Sequence, residues 1–159
     1  MKGKWWCGIL LFWVYSGIFA QTNVSKLEVF SGFSWAPGEV VEIKAQSMQI
    51  FFEQNRARFL GKVIIKKGDS IIYCDELELG YSEQGEIKWL VARRGVKLVE
   101  GKILASGEEL EYKSSEQKFW LRGEPRLVRS GQIILGREMI FDLKTKKLEV
   151  TSPQIQFQR

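Results

Sequence analysis

Apolar and polar residues alternate with a period of two in one short run after another, and this alternation constrains the 159-residue chain more than any other feature. Val41, Ile43 and Ala45 alternate with Glu42, Lys44 and Gln46. Leu77, Leu79 and Tyr81 alternate with Glu76 and Glu78, and Leu110 and Tyr112 with Glu109 and Glu111. Ile87, Trp89 and Val91 take every second place around Lys88 and Leu90. Successive side chains of a strand point to opposite faces, so each run reads as a strand with one dry face. Between the runs lie the turn signals Lys67-Gly68-Asp69, Ser82-Glu83-Gln84-Gly85, Glu100-Gly101-Lys102, Ser114-Ser115-Glu116 and Arg129-Ser130-Gly131, spaced as antiparallel meanders require. Beyond the first twenty residues no segment has a helical period.

The turn glycines also mark a repeat. Gly68, Gly101 and Gly131 each precede an apolar strand that runs on to a small residue, Cys74, Ala105 and Gly136, at a spacing of about thirty residues. A first unit from Val41 to Gly61 fits the same template, which makes four. Strands this short are not stable alone, so the units must stack or fold over one another to bury a shared interior. With 45% hydrophobic residues there is material for one such core. The expected class is all-β: a roll, a sandwich or a short solenoid.

The first twenty residues stand apart. Lys2 and Lys4 precede an apolar run from Trp5 to Tyr15, followed by Ser16, Gly17 and Ala20, the layout of an export signal helix. The segment from Trp5 to Ala20, with Ser16 and Gly17 inside its end, is about 16 residues, short of the roughly 20 apolar residues needed to cross a bilayer, so cleavage is expected after Ala20, or else after Ser16; a retained anchor is the alternative. The expected division is a signal peptide over 1–20, a leader over 21–39 containing Gly32, Pro37 and Gly38, and a β domain over 40–159.

Removing Lys2 and Lys4 from the 24 basic residues leaves a net charge of +3 against 19 acidic ones. Lysines and glutamates are interspersed, which describes a solvated surface rather than a nucleic-acid patch. Cys7 lies in the signal and Gln21 is not a lipid-attachment cysteine. Cys74, alone in the remaining chain, reads as a small buried hydrophobe.

The chain has no histidine, which removes Ser-His triads, Cys-His pairs and histidine metal sites together. The carboxylate pairs Asp75-Glu76 and Glu108-Glu109 fall in turns or on polar strand faces, where surface charge explains them. Asp75, Glu76 and Glu78 lack the glycine-punctuated loop of a calcium site. Binding rather than catalysis is expected, with no cofactor. Of the aromatics Phe59, Tyr81, Trp89, Tyr112, Phe119, Trp120 and Phe141, most are expected to point inward, where large side chains on one face can enclose an elongated apolar interior.

These blocks carry a resemblance. Val41-Glu42-Ile43-Lys44-Ala45-Gln46-Ser47-Met48, Phe59-Leu60-Gly61-Lys62-Val63 and Gly68-Asp69 through Ile71 and Ile72 to Cys74-Asp75-Glu76-Leu77 resemble the opening repeat of the OstA-like, LptA-type family of periplasmic lipopolysaccharide-transport proteins. Gly95-Val96-Lys97-Leu98, Ala105 through Tyr112, Leu121-Arg122-Gly123-Glu124-Pro125 and Gly136 through Phe141 continue it, so that the match spans about Val40 to Val150. Lys62 and Cys74 depart from the asparagine and alanine frequent in the family, without threatening a strand. The resemblance implies an antiparallel, twisted β-jellyroll bent into a V around an apolar groove, standing in the periplasm as a bridge. It implies lipopolysaccharide, held by its lipid A moiety, as ligand. It implies an LptC-type inner-membrane component, an LptD-type outer-membrane component and further copies of the chain as partners. A membrane-anchored LptC-like role, with residues 5–20 retained, is the nearest alternative, and a nucleic-acid- or glycan-binding barrel the more distant one. The residues expected to line the groove are Val41, Ile43, Phe59, Leu79, Tyr81, Leu98, Tyr112 and Phe119, each the apolar member of an alternating strand. The leader and Gln154 to Phe157 are the expected docking edges.

Overall fold

A computed structural model describes residues 40–157; the expected signal over 1–20 and leader over 21–39 lie outside the described residues. The described chain is all-β. Its strands are β1 (Glu42–Lys44), β2 (Ser47–Phe51), β3 (Arg56–Lys67), β4 (Ser70–Tyr81), β5 (Ile87–Glu100), β6 (Ile103–Lys113), β7 (Lys118–Arg122), β8 (Arg126–Arg129), β9 (Gln132–Leu135), β10 (Glu138–Asp142), β11 (Lys147–Thr151) and β12 (Gln154–Phe157), with one 3-10 turn at Phe52–Gln54. All the pairings are antiparallel, in one twisted sheet that does not close. The expected turn segments are where the strands reverse.

The strands are longer than the sequence suggests, because four of them continue through a corner. Gly61 and Lys62 of β3 stand opposite Asp75 alone, and Arg94 and Gly95 of β5 opposite Glu108 alone. An extra residue on one strand bends it and sharpens its twist. Both pairs take positive φ, 80° and 48° in β3 and 64° and 62° in β5. At the same level the other strands break: β1 from β2, β7 from β8 at Gly123-Glu124, β9 from β10 at Gly136-Arg137, and β11 from β12 at Ser152-Pro153. Backbone bonds across the breaks hold the corner together, with Gln46 N donating to Gly61 O (3.0 Å), Glu108 N to Gly123 O (3.2 Å) and Arg137 N to Thr151 O (2.8 Å).

The corner divides the sheet into two halves that share one core. The first half holds β1, β8, β9 and β12 with the adjoining parts of β3 to β6; the second holds β2, β7, β10 and β11 with the remainder. Ile65, Ile72 and Leu98 of the first half and Leu77, Leu90, Leu110 and Leu121 of the second are almost wholly buried in the same cluster. Cys74 is a free thiol within it, and burial pushes its pKa up to about 11, so it packs as a hydrophobe.

One phase of alternation is corrected. Gly80 pairs with Trp89 but Tyr81 pairs with Ile87, so Lys88 is an extra residue on β5 and inverts the faces beyond it. Ile87 packs against the core, whereas Leu90 and Ala92, not Trp89 and Val91, form the dry face that follows. Trp120, between the buried Phe119 and Leu121, also faces outward.

Candidate functional site

Directly paired residues of antiparallel strands share a face, so the registers trace the inner surface. In the first half one row runs Ile43, Ile65, Ile72, Leu98, Ala105, Leu127, Ile134, Ile155, from one edge strand to the other. In the second half Ile50, Ala57, Leu79, Leu90, Tyr112, Phe119, Phe141 and Leu148 form a row of the same extent. Beside it, Met48, Phe59, Leu77, Ala92, Leu110, Leu121, Met139 and Val150 make another. At about 4.8 Å per strand each row is about 34 Å long. No polar side chain interrupts any of them.

All eight residues expected to line a groove belong to the buried cluster or pack against it. Leu79, Leu98, Tyr112 and Phe119 are buried members of the cluster, and Val41, Ile43, Phe59 and Tyr81 pack against it partly exposed. The Tyr112 and Phe119 rings lie 4.8 Å apart, and burial pushes the Tyr112 hydroxyl pKa up to about 12, so it stays neutral in an apolar setting. The expected set omitted most members of the rows, among them the buried Ile65, Leu90, Leu121, Leu127, Met139 and Phe141. The same alternation marks them, but only the registers show that they align. Among the described residues no cluster of His, Cys, Asp or Glu is placed to hold a metal ion.

Among the described residues, both ends of the inner surface are open strand edges: β1 and β2 pair only with β3, β11 only with β10, and β12 only with β9. Apolar side chains stand exposed at these edges: Met48, Ile50 and Phe52 at the first, Ile155 and Phe157 at the last, with Phe157 71% exposed. An unpaired edge bearing apolar side chains is a template for another chain.

The outer surface of the second half is, by contrast, a ladder of paired charges. Arg56 bridges to Glu78 (3.0 Å), Arg93 to Glu109 (3.0 Å), and Arg122 to Glu111 (2.9 Å) and Glu138 (2.6 Å). Glu76, expected as solvated surface charge, is instead nearly buried between Arg58 and Arg94. The hydrogen bond from Arg122 holds the Glu111 carboxyl below the usual carboxylate range, and Glu111 in turn raises the guanidinium. A depressed folded-state pKa contributes stability above the unfolded value, about 4.3, that is lost as pH falls through the folded one. Arg122→Ala is therefore expected to cost about 1–2 kcal/mol at pH 7. Urea titrations at stepped pH should show the gap between wild type and variant closing as pH falls below about 4.3.

The family model described as LptA/(LptD N-terminal domain) LPS transport protein matches residues 42–147. Among solved structures, the chain resembles LptH of Pseudomonas aeruginosa, described as the LptA homologous periplasmic component of the conserved lipopolysaccharide transport device. The TM-score is 0.68 at 12% identity, over 76% of this chain and 96% of that one. No curated protein matches.

Proposed function

Because the chain belongs to the LptA/LptD N-terminal domain family of lipopolysaccharide-transport proteins, we propose that it carries lipopolysaccharide across the periplasm with the acyl chains against the inner apolar surface. The observation that carries this reading is the edge-to-edge continuity of the inner rows. A closed store for one small ligand would need polar or bulky residues at its ends, whereas here Ile43 and Ile155 continue the apolar row to both edges. Acyl chains lose nothing by moving along a surface of uniform apolar character, and the charged sugar head stays in water, so the protein supplies a path and no chemistry. Val41, Ile43, Phe59, Leu79, Tyr81, Leu98, Tyr112 and Phe119 are the proposed lining.

The edges supply the continuity between subunits. Adding the β11/β12 edge of one copy to the β1/β2 edge of the next pairs unlike surfaces, a head-to-tail contact that extends as a filament wherever its rotation does not close a ring. The same strand addition would join an LptC-type component at one end and an LptD-type component at the other. We propose that residues 1–20 direct export and are removed; N-terminal sequencing of the exported chain separates this from an anchored LptC-like form.

Photocrosslinking tests the path. A photoreactive residue at Tyr112 or Ile43, in cells making lipopolysaccharide, is expected to label the lipid, and one at Lys97, exposed on the outer face of the first half between the buried Val96 and Leu98, is not. Equal labelling at Tyr112 and Lys97 would remove the inner surface from the pathway.

A further inference from the structure

The outer face of the second half holds two tryptophans among its paired charges, and the bulge at Lys88 builds a cleft around one of them. The extra residue turns Trp89 outward, and the Lys88 carbonyl accepts a hydrogen bond from Ser114 N (2.9 Å), which ties the β6–β7 turn alongside. The result is an open cleft of about 520 Å³ lined by Lys88, Trp89, Val91, Glu111, Lys113, Ser114 and Ser115. That volume is within the range of small-ligand sites. Directly across the pair, Gly80 is buried, and a Cβ there would fall 2.5 Å from Trp89 Cε2 and closer still to Nε1. The absent side chain lets the pyrrole edge of the indole settle against the β4 backbone at Gly80, and the same residue lines the cleft.

The polar groups around this ring are held in place and neutralised. Lys113 lies 5.2 Å from the centroid of Trp120 and 3.3 Å from Glu111, and Glu111 also accepts from Arg122. Lys88 pairs with Glu86 at 3.0 Å. An aromatic platform rimmed by hydroxyls and balanced charges suits a ligand with an apolar face and many hydroxyls. It does not suit a polyanion, since stacking sites for nucleic acid sit in grooves with excess positive charge.

We propose that the Trp89 cleft binds a carbohydrate ring, stacked on the indole and hydrogen-bonded by Lys113, Glu111, Ser114 and Ser115. Under the transport reading the sugar belongs to the head of the carried lipid, which would be steered along the outer face while the acyl chains follow the inner one. The cleft recognises the ring alone, so a free oligosaccharide is an equal source of ligand.

The test is titration of the purified chain with the acyl-free oligosaccharide released from lipopolysaccharide by mild acid, followed by the tryptophan indole N–H signals in NMR spectra. Saturable shifts are expected. Trp89→Ala should weaken binding by about tenfold or more, the scale of one stacked ring. Ser115→Trp, which fills the cleft from an exposed turn position, should abolish binding with the thermal midpoint unchanged. Gly80→Ala should weaken binding by displacing the indole, although Gly80 is not in the cleft. Oligosaccharide binding that survives both Trp89→Ala and Ser115→Trp overturns the proposal, as does the absence of binding or displacement by single-stranded DNA. In a parallel arm with intact lipopolysaccharide, labelling from Tyr112 without any effect of the Trp89 variants would overturn the cleft while leaving the transport reading in place. The converse result would leave the cleft and remove the groove.

Discussion

Gly123→Ala is expected to destabilise the fold by about 2–4 kcal/mol and lower the thermal midpoint by about 8–16 °C. Two costs add. Gly123 has φ of 75°, a conformation that costs an L side chain about 1 kcal/mol. The new Cβ would also collide with Glu108 Cβ and lie 2.8 Å from its Cγ and 3.2 Å from its backbone nitrogen, the group that donates to Gly123 O. These are atoms at the root of the neighbouring side chain and in its backbone, so relief requires β6 to move away from the β7–β8 break. Gly85→Ala is the control. Gly85 has φ of 80° and nothing within 4 Å of where a methyl would stand, so only the conformational cost of about 1 kcal/mol is expected. Thermal or urea melts of the pair separate strain in a turn from closure of the corner, and equal losses would show that the corner tolerates a side chain.

That corner is the part of the fold least legible from sequence. Alternation locates strands wherever one face is dry, and the turns at Gly68, Gly101 and Gly131 fall where the strands reverse. A strand that bends while keeping its inner face inward leaves a weak trace, since in β3 the alternation of Phe59 and Val63 passes through Gly61 and Lys62 undisturbed. Alternation therefore suggests four short units where four long strands run through both halves. The bulge at Lys88 misleads in the opposite way. Apolar residues at Ile87, Trp89 and Val91 look like one dry face, but the extra residue puts Ile87 on one side and Trp89 on the other. A tryptophan at a strand position gives no sign of which face it takes.

The inner surface is more legible, because burial selects residue type more strongly than bending does. Each of the eight expected lining residues belongs to the buried cluster or packs against it, down to the partly exposed Val41 and Ile43, the latter on an edge strand only three residues long. Alternation carries no information about which strands are neighbours. The alignment of Leu79, Leu90, Tyr112, Phe119 and Phe141 into one row is set by the registers, and these depend on turn lengths and bulges summed along the chain.

Phe119→Ala gives the second large effect, and it bears on whether the inner surface admits a ligand. Phe119 is 1% exposed and lies in the middle of its row, against Tyr112 and paired with Phe141. Removing a buried ring costs the transfer free energy of its atoms and leaves a cavity, about 3–5 kcal/mol together. Glu149→Ala, on the exposed side of β11 and paired with Lys147, should change stability by about 0.5 kcal/mol or less. The loss at Phe119 is expected whether the interior is a sealed core or a path for acyl chains, so stability alone does not distinguish them. Adding an acyl amphiphile does. A ligand that binds only the folded state at a hundred times its Kd stabilises by about 2.7 kcal/mol. If acyl chains enter along the inner rows, the space left by the ring gives them more apolar surface to cover, and the amphiphile should raise the midpoint of Phe119→Ala more than that of the wild type. A sealed core predicts no rise for the wild type, since a cavity made by the substitution can bind apolar ligands on its own, and an unchanged wild-type midpoint in a thermal melt would count directly against the path.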